Sequence, residues 1–386
     1  MFSAPVNPVL APPARFESVK REPVSEDDVG RIIDVYGYQS CASGSGFIAG
    51  GAGAYCYYGS PHLARLGGTP LERWADDLLN VAADASSVRG EQREDYRVVH
   101  AGRAYRALRE DSDQGTHISL RRLADETPKL DALSTDTPAI RTLLEGEWLN
   151  DGGLVVFAGL PGQGKTTFAG ATVRTRLELF GGRCIGVEDV VEMPLEGLWG
   201  GGSCRQILVD YAHPDPFRRG FAGAIRKAYR SMPATRPAIL LVGEVRDSET
   251  AEEVVKAAAN GMLVLTTTHA TDPISAIMRL WSLAERSMGA EGAASNLAHG
   301  LRMVVHQSMK LDADLQGWRR GRCTVSALVS SGPSSGVGHL LQGGKLNLLA
   351  GELAFQTTLL RQATYQRPLA HQLLNLICRG KNTHTA

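Results

Sequence analysis

One stretch of eight residues constrains the fold more than any other part of the chain. Residues 159–166 read Gly-Leu-Pro-Gly-Gln-Gly-Lys-Thr and match the phosphate-binding pattern G-x-x-x-x-G-K-[ST] at every fixed position. Such a loop needs a strand before it and a helix after it, because glycine N–H groups and the helix N-terminus together bind phosphate. Both neighbours are present: residues 154–158 are apolar, and residues 166–180 have a helical pattern that ends at Gly181-Gly182.

The loop predicts a bound nucleoside triphosphate with Mg²⁺. Lys165 is expected to contact the β- and γ-phosphates, and the hydroxyl of Thr166 is expected to bind Mg²⁺. The alternative is a flexible glycine turn with a surface lysine, which the flanking strand and helix disfavour. The predicted nucleotide-binding residues are Gly159, Pro161, Gly162, Gln163, Gly164, Lys165, Thr166 and Thr167.

Length, charge and cysteine content exclude several classes of protein. A chain of 386 residues can form two or three domains. Its 41 basic and 41 acidic residues balance, which argues against a nucleic-acid-binding protein. No apolar run reaches membrane-spanning length, and the first 20 residues have prolines where a signal peptide needs apolar residues, so we expect a cytoplasmic protein. The six cysteines form no C-x-x-C pair, so we expect neither a zinc site nor disulfides.

The first 68 residues are predicted to form a flexible extension rich in glycine and proline. Residues 1–24 read as an extended or disordered arm. A capping-box pattern at Ser25 and Asp28 predicts a short helix that continues through Tyr36. Residues 38–68 are rich in glycine, alanine, serine and tyrosine, which fits either a mobile contact surface or a poorly ordered linker.

Residues 69–135 are predicted to form a small α+β domain. A helix should start at Thr69-Pro70-Leu71-Glu72, where threonine fits the cap position, proline the first helical position and glutamate the third. Strands are expected at 96–99 and 117–120, and a hinge at 125–138. The apolar face of the helix consists of Leu71, Trp74, Leu78, Leu79 and Ala82.

Residues 136–386 alternate between strand and helix patterns, as a parallel sheet with helical crossovers requires. Strands are expected at 153–158, 183–187, 238–243 and 262–268. Helices are expected at 166–180, 247–260, 273–286, 293–309 and again within 356–379.

Polar residues follow three of these strands, where a parallel sheet presents residues to a ligand. Glu244 could act as general base for the water that attacks the γ-phosphate. Glu188 and Asp189 suit Mg²⁺ or a water in its coordination sphere. His269, after Thr266-Thr267-Thr268, would sense the γ-phosphate. Each segment alone has an ordinary explanation, since acidic residues often end strands and a lone histidine is usually structural.

In this order, the segments resemble the secretion-and-pilus traffic ATPases, which include type II and type IV secretion ATPases and pilus retraction motors. Residues 187–192 resemble the family's Asp box, with Val190 where the family usually has proline. Residues 241–247 closely match its Walker B segment, with glycine where most NTPases have aspartate, and 267–270 resemble its His box. The resemblance implies a RecA-like α/β ATPase domain, a PAS-like N-terminal domain, and a homo-hexameric ring with ATP between subunits.

Within this family, the chain lacks the four-cysteine zinc module of the long type II and pilus-extension members. Its ends and looser motifs resemble the ATPases of type IVB secretion and plasmid conjugation most, followed by the retraction motors. The resemblance therefore implies an ATP-driven motor for secretion or conjugative transfer, peripheral to the inner membrane and bound there by complex proteins. A pilus retraction motor is the alternative.

Two readings from other classes fit less well. A RecA-like nucleic-acid translocase would share fold and ring, but neutral charge and the lack of interleaved basic and aromatic residues disfavour direct nucleic-acid binding. A small-molecule P-loop kinase would need an acceptor site, for which the sequence offers no residues.

The resemblance also assigns a catalytic role to arginines of the N-terminal domain. Hydrolysis spreads negative charge over the γ-phosphoryl oxygens, which an additional guanidinium stabilises. Arg97 and Arg121 match the family's strand positions, although Arg122 is an alternative to Arg121. Both could instead be solvated strand residues.

Overall fold

A computed structural model describes residues 32–40, 54–58, 63–66, 68–88, 91–113, 115–233, 237–314, 317–366 and 370–379. The chain forms two compact units. The first contains Met1–Leu123 and Ala313–Arg319, and the second contains Ala124–Asp312 and Arg320–Ala386. The division after Leu123 precedes the predicted boundary at 135. Of the helices in the described ranges, none combines the length and apolar character needed to span a membrane.

The first unit is a six-stranded sheet covered on one face by a helix. Its order is β3-β2-β1-β8-β7-β6, and neighbouring strands are antiparallel. A separate short hairpin, β4–β5, follows the helix. The elements are β1 (Ile32–Ser40), β2 (Ala54–Tyr58), β3 (Leu63–Arg65), α1 (Glu72–Ser86), β4 (Ser87–Val88), β5 (Glu91–Gln92), β6 (Asp95–His100), β7 (Arg103–Asp111) and β8 (Gly115–Arg122).

Helix α1 begins at Glu72, two residues after the predicted first helical position, and the predicted capping side chains bind the turn before it. The Thr69 hydroxyl accepts a hydrogen bond from the Leu71 N–H at 3.2 Å, and the Glu72 carboxylate accepts one from the Gly68 N–H at 2.7 Å. These two bonds satisfy N–H groups at the helix start. The predicted apolar face packs against the sheet, with Leu71, Leu78, Leu79 and Ala82 buried and Trp74 partly buried.

The helix predicted through Tyr36 is wrong over its described part. Ile32–Ser40 is strand β1, which pairs with β8 so that Val35 lies opposite Leu120. Val35 and Leu120 are both buried under α1, and this long-range packing outweighs the local capping signal. Residues 25–31, like most of the predicted extension, lie outside the described residues.

The second unit is built on an eight-stranded sheet with helices on both faces. The strand order is β11-β12-β10-β13-β14-β9-β15-β16. The neighbours from β12 to β15 are parallel, and β11 is antiparallel to β12. The strands are β9 (Gly153–Ala158), β10 (Gly182–Glu188), β11 (Gly197–Trp199), β12 (Gly202–Leu208), β13 (Ala238–Glu244), β14 (Leu263–Thr268), β15 (Leu301–Asp314) and β16 (Gly317–Val329).

Two apolar clusters lie on opposite faces of this sheet. Along β9, Leu154 and Val156 belong to one cluster, and Val155 and Phe157 belong to the other. Burial on both faces explains why β9 and β14 are buried at every position. The helices are α2 (Pro138–Leu144), α3 (Lys165–Phe180), α4 (Gly220–Tyr229), α5 (Ser248–Ala259), α6 (Pro273–Gly300), α7 (Gly336–Gln342), α8 (Leu349–Gln366) and α9 (Ala370–Arg379).

The four predicted parallel strands and the helices after the phosphate loop and after β13 are confirmed, with shifts of one residue at their ends. The helix predicted at 293–309 is wrong in its second half. Helix α6 continues to Gly300, with non-helical backbone at Gly289, and strand β15 starts at Leu301. Val304 and Val305 pack on opposite faces of the sheet, and a short apolar run of this kind has no periodicity that separates strand from helix.

Candidate nucleotide-binding site

The predicted site residues of the second unit lie at one edge of its eight-stranded sheet. Strands β10, β13, β14 and β9 are adjacent and parallel, so their carboxyl ends lie side by side. The phosphate loop follows β9, and His269 follows β14. Glu244 ends β13, and Glu188 ends β10. The sheet therefore places all four segments along one line.

The phosphate loop has the backbone geometry that an anion site requires. Gly162 and Gly164 have φ values of 74° and 81°, in the left-handed region where other residues are strained. Gly164 is the cap of α3, and no side chain caps this helix end. The first N–H groups of α3 are thus available to an anion, which the helix dipole also favours.

Strand β15 supports the phosphate loop from the side. The Gln163 side-chain oxygen accepts a hydrogen bond from the Met309 N–H, and the Gln163 carbonyl accepts one from the Gln307 amide at 3.5 Å. Gln163 therefore ties the loop to β15, with its side chain turned toward the protein.

Lys165 is a buried cation with polar contacts to Leu160 and His269. Lys165 is only 7% exposed to solvent, and its ammonium donates a hydrogen bond to the Leu160 carbonyl at 3.0 Å. Burial lowers its pKa, and the negative charges of Glu244 and Glu192 oppose this effect. A phosphate group beside the ammonium would offset the cost of burying this charge.

His269 connects Lys165 to Glu244. The Lys165 ammonium lies 3.3 Å from His269 Nδ1, and His269 Nε2 lies 3.7 Å from Glu244 Oε1. Because an ammonium can only donate, Nδ1 accepts in this contact and the ring proton of a neutral histidine lies on Nε2. The Thr267 hydroxyl, two residues before His269, donates to the Gly243 carbonyl at 2.6 Å and holds β14 beside β13.

Arg246 extends this line of contacts to the Asp box. Its guanidinium donates to Glu244 at 2.8 Å and to Asp189 at 3.0 Å. A continuous series of polar contacts thus runs from Lys165 through His269, Glu244 and Arg246 to Asp189.

Glu188 is the most deeply buried carboxylate of the site, at 3% exposure. Burial raises its pKa to about 7, and repulsion by Glu192 and Asp189 adds to the effect. A hydrogen bond from the Gln206 amide at 2.7 Å opposes it. Glu188 can therefore exchange a proton near neutral pH.

The residues present fit Mg²⁺ held mainly by nucleotide phosphates. Among the described residues, no group of three or more histidine, cysteine, aspartate or glutamate side chains could hold a metal alone. Thr166 lies in the first turn of α3, as its predicted role requires. Asp189 remains a predicted ligand, but it would share its carboxylate with Arg246 and the Val190 N–H.

Arg97 and Arg121 lie in the first unit, on the face of the sheet opposite α1. Arg97 is opposite Arg106, and Arg106 is opposite Arg121, so the three form one row across β6, β7 and β8. Arg121 is 63% exposed and pairs with Asp34 at 3.0 Å. Arg122 lies opposite the buried Tyr105, so Arg121 is the residue that shares a face with Arg97.

Sequence reasoning missed Gln206 and Gln307. Gln206 lies on β12 and Gln307 on β15, where no strand was predicted. Neither belongs to a motif segment that we had recognised. The only signal was an apolar run beside each, which periodicity alone does not assign to a strand.

Comparison with known proteins identifies the family. The profile of the family described as "Type II/IV secretion system protein" matches residues 111–320, more than half of the chain. The chain belongs to the type II/IV secretion system protein family. The matched span contains the phosphate loop and every other predicted site residue of the second unit.

Individual relatives in this family are similar over part of their length. Type II secretion system protein E of Klebsiella pneumoniae is 33% identical over 170 residues, which are 44% of this chain and 31% of that protein. The uncharacterized protein YggR of Escherichia coli K12 is 29% identical over 235 residues, 61% of this chain and 65% of that protein. The chain thus spans less than two thirds of the length of either relative.

Two solved structures share the α/β fold. The Legionella pneumophila ATPase DotB is 18% identical, with 91% of this chain and 92% of that chain covered and a TM-score of 0.58. The pilus retraction motor PilT, solved with bound ADP, is 19% identical, with 89% and 92% covered and a TM-score of 0.62. An ATPase and a nucleotide-binding motor are therefore among the proteins with this fold.

The buried Glu188 predicts a pH dependence of stability. Between its ordinary value of 4.5 and the pKa of about 7, the folded state keeps a proton that the unfolded state releases. Stability should therefore fall as pH rises through this window, by up to about 3 kcal/mol, and level off above it. Urea unfolding of the nucleotide-free protein between pH 5 and 8, compared with Glu188→Gln, measures this difference. As a control, Glu126→Gln, at an exposed position, should leave the pH dependence of stability unchanged. If the stability difference between wild type and Glu188→Gln does not vary with pH, the raised pKa of Glu188 is contradicted.

Proposed function

We propose that this chain hydrolyses ATP and that the hydrolysis drives a bacterial secretion or conjugative transfer system at the inner membrane. The observation that carries the proposal is the line of contacts at the sheet edge. It joins the phosphate-loop lysine, Lys165, to the proposed general base, Glu244, through His269. Membership of the type II/IV secretion system protein family supports the coupling to transport.

The proposed chemistry divides among the residues of this line. The phosphate loop and Lys165 bind the β- and γ-phosphates, and Glu244 takes a proton from the attacking water. His269 lies beside the Glu244 carboxylate, with its Nε2 3.7 Å from Oε1, and reports on the γ-phosphate. Glu188 positions a water or takes up a proton near neutral pH. Mg²⁺, bound with the phosphates and Thr166, would supply neutralisation of developing charge.

The arginines of the second unit leave room for a contribution from the N-terminal unit. Arg246 donates to Glu244 and Asp189, and Arg226 donates to Glu253 at 2.9 Å. Both guanidinium groups are thus engaged by carboxylates. Arg97 and Arg121 lie on one sheet face, and Arg121 is 63% exposed although it also pairs with a carboxylate, that of Asp34. Their shared face supports the proposal that they stabilise the γ-phosphoryl group during hydrolysis.

We further propose a homo-hexameric ring with ATP bound between subunits. The ring would lie in the cytoplasm, peripheral to the inner membrane, and bind there to proteins of the secretion or transfer complex. A motor for pilus retraction is the second candidate, because the retraction motor PilT aligns over 89% of this chain with a TM-score of 0.62. A nucleic-acid translocase would instead require steeply salt-dependent DNA binding and DNA-stimulated turnover.

The first prediction separates binding from hydrolysis. Lys165→Ala should abolish ATP binding or turnover, because the phosphates lose their buried cation. Glu244→Gln should bind ATP but hydrolyse it roughly a hundredfold to ten-thousandfold more slowly, because only the base is lost. Phosphate release and binding of a fluorescent ATP analogue measure the two effects. The exposed residues Lys345 and Glu249 supply matched controls, Lys345→Ala and Glu249→Gln, which should behave as wild type. Hydrolysis at the wild-type rate by Glu244→Gln would disprove its role as base.

The second prediction concerns the N-terminal arginines. The double variant Arg97→Ala, Arg121→Ala should bind ATP and lower turnover by about a thousandfold. Lysine at position 121 should restore little, because an ammonium cannot hold two phosphate oxygens as a guanidinium does. Steady-state ATPase assays beside the exposed control Arg93→Ala test this. If the double variant forms normal rings and hydrolyses ATP at the normal rate, the N-terminal unit is not part of the active site.

The third prediction concerns assembly. With an ATP analogue and Mg²⁺, the isolated chain at micromolar concentration should form particles of six subunits. Light scattering coupled to size-exclusion chromatography gives the mass. A strict monomer under these conditions would count against the ring, while leaving the ATPase assignment to be judged by the Lys165 and Glu244 variants.

A further inference from the structure

Gln206 uses every hydrogen-bonding group of its side-chain amide. Its Nε2 donates to Glu188 Oε1 at 2.7 Å and to the Met193 carbonyl at 2.9 Å. Its Oε1 accepts from the N–H groups of Leu195 and Glu196, both at 2.9 Å. Two donors and two acceptor positions are the complete inventory of this amide. The opposite orientation would set oxygen against oxygen and N–H against N–H, so the partners define how the amide lies.

The four partners belong to two different parts of the site. Glu188 is the last residue of β10, whereas Met193, Leu195 and Glu196 belong to residues 189–196, the segment that follows β10 and contains most of the Asp box (the Asp-box segment). The same segment carries Asp189, which binds Arg246. One side chain on β12 thus holds both the buried carboxylate and the path of the chain that follows it.

The sheet is built to admit this contact. Gly186 lies directly opposite Gln206 in the pairing of β10 with β12. A Cβ at Gly186 would lie 3.0 Å from Glu188 Oε1 and 3.3 Å from Gln206 Cγ, so any larger residue would press on both. On the other side of Glu188, a Cβ at Gly243 would lie 3.6 Å from Glu188 Cγ. Glu188 is thus packed between Gln206 and the residue that precedes Glu244.

The Gln206 side chain is not needed to hold the strands together. Backbone pairing joins β10 and β12 from Gly182 opposite Gly202 to Glu188 opposite Leu208. The amide instead binds an acidic group at the ligand edge, which is the arrangement of a residue that orients a reactive carboxylate.

We infer that Gln206 is a positioning residue for hydrolysis, which holds the Glu188 carboxylate and the Asp-box segment in the geometry of turnover. The inference rests on the proposed function, because it assumes that Glu188 acts in ATP hydrolysis. Displacement of a reacting group by about 1 Å can lower a rate by roughly a hundredfold, so the loss of such an anchor should affect turnover. Nucleotide binding, which the phosphate loop provides, should change little.

The test compares turnover with binding in Gln206→Leu, which keeps the volume and removes all four hydrogen bonds. We expect kcat to fall by about tenfold to a hundredfold. The dissociation constant of a non-hydrolysable ATP analogue should stay within about threefold of wild type. The matched control is Arg205→Ala, because Arg205 is the neighbouring residue on β12, is 67% exposed, and contacts Glu196 at 3.4 Å without contacting Glu188. The control should keep wild-type kcat.

Three further variants separate positioning from general stability. Gly186→Ala leaves both Glu188 and Gln206 in the sequence but crowds the contact between them. It should therefore lower kcat. Gln206→Glu sets two buried carboxylates against each other and should lower the melting temperature. The exchange Glu188→Gln, Gln206→Glu restores the donor–acceptor pair between these two positions but leaves the Met193 carbonyl opposite a carboxylate oxygen. It should therefore recover part of the melting temperature but not turnover.

The outcomes distinguish failure of this inference from failure of the proposed function. Wild-type kcat in Gln206→Leu, with Glu188→Gln inactive, overturns the positioning role and leaves the ATPase assignment intact. Equal losses of kcat and analogue binding in Gln206→Leu indicate general damage and also overturn it. Wild-type turnover in Glu188→Gln would show that Glu188 does not act in hydrolysis, and it would also overturn the positioning role of Gln206. If Gln206→Leu fails to fold, Gly186→Ala and the shorter Gln206→Asn decide by the same comparison of kcat with binding.

Discussion

The buried ammonium of Lys165 is the charge on which the arrangement of the site depends. A cation in a residue 7% exposed costs free energy unless polar groups surround it. The Leu160 carbonyl and His269 contact it directly, and Glu244 and Glu192 provide a negative field. A phosphate group carries more negative charge than any one of these partners. The Lys165 ammonium and the N-terminus of α3, which no side chain caps, suit an anionic ligand and support the proposed nucleotide site.

The contacts that extend from Lys165 differ in strength, and this difference determines which of them can change. Glu188 is buried and held by Gln206, whereas Arg246 is 49% exposed and bridges Glu244 and Asp189. The Arg246 end of these ion pairs is open to water, which weakens them, although Glu244 and Asp189 are only 13% and 21% exposed. A buried carboxylate held by an amide whose own hydrogen bonds are complete resists displacement. The Arg246 bridge is thus the adjustable part of the site, and Glu188 with Gln206 is the rigid part.

The position of many candidate site residues could be predicted from the sequence because they lie in short contiguous segments. The phosphate loop, Glu188-Asp189, Glu244 and His269 each follow an apolar strand, and parallel strands present their carboxyl ends at one edge. The family profile over residues 111–320 agrees with the resemblance on which the predicted roles rested. Gln206 was not predicted because it lies on β12 and contacts Glu188 on the neighbouring strand β10. Its partners lie 10–18 residues away in the chain, and no local pattern records that separation.

The sequence by itself determined the α/β class, the nucleotide-binding loop, most of the central strands and helix α1, because local periodicity and short motifs specify them. Only the tertiary structure decided that Ile32–Ser40 is a strand and that the chain after Gly300 returns as β15. It also decided that Arg121 rather than Arg122 lies in the row with Arg97, and that Gln206 holds Glu188. These features depend on which strands pair and in which register. Pairing is settled by burial between segments that are distant in the chain, and burial of that kind outweighs local preference.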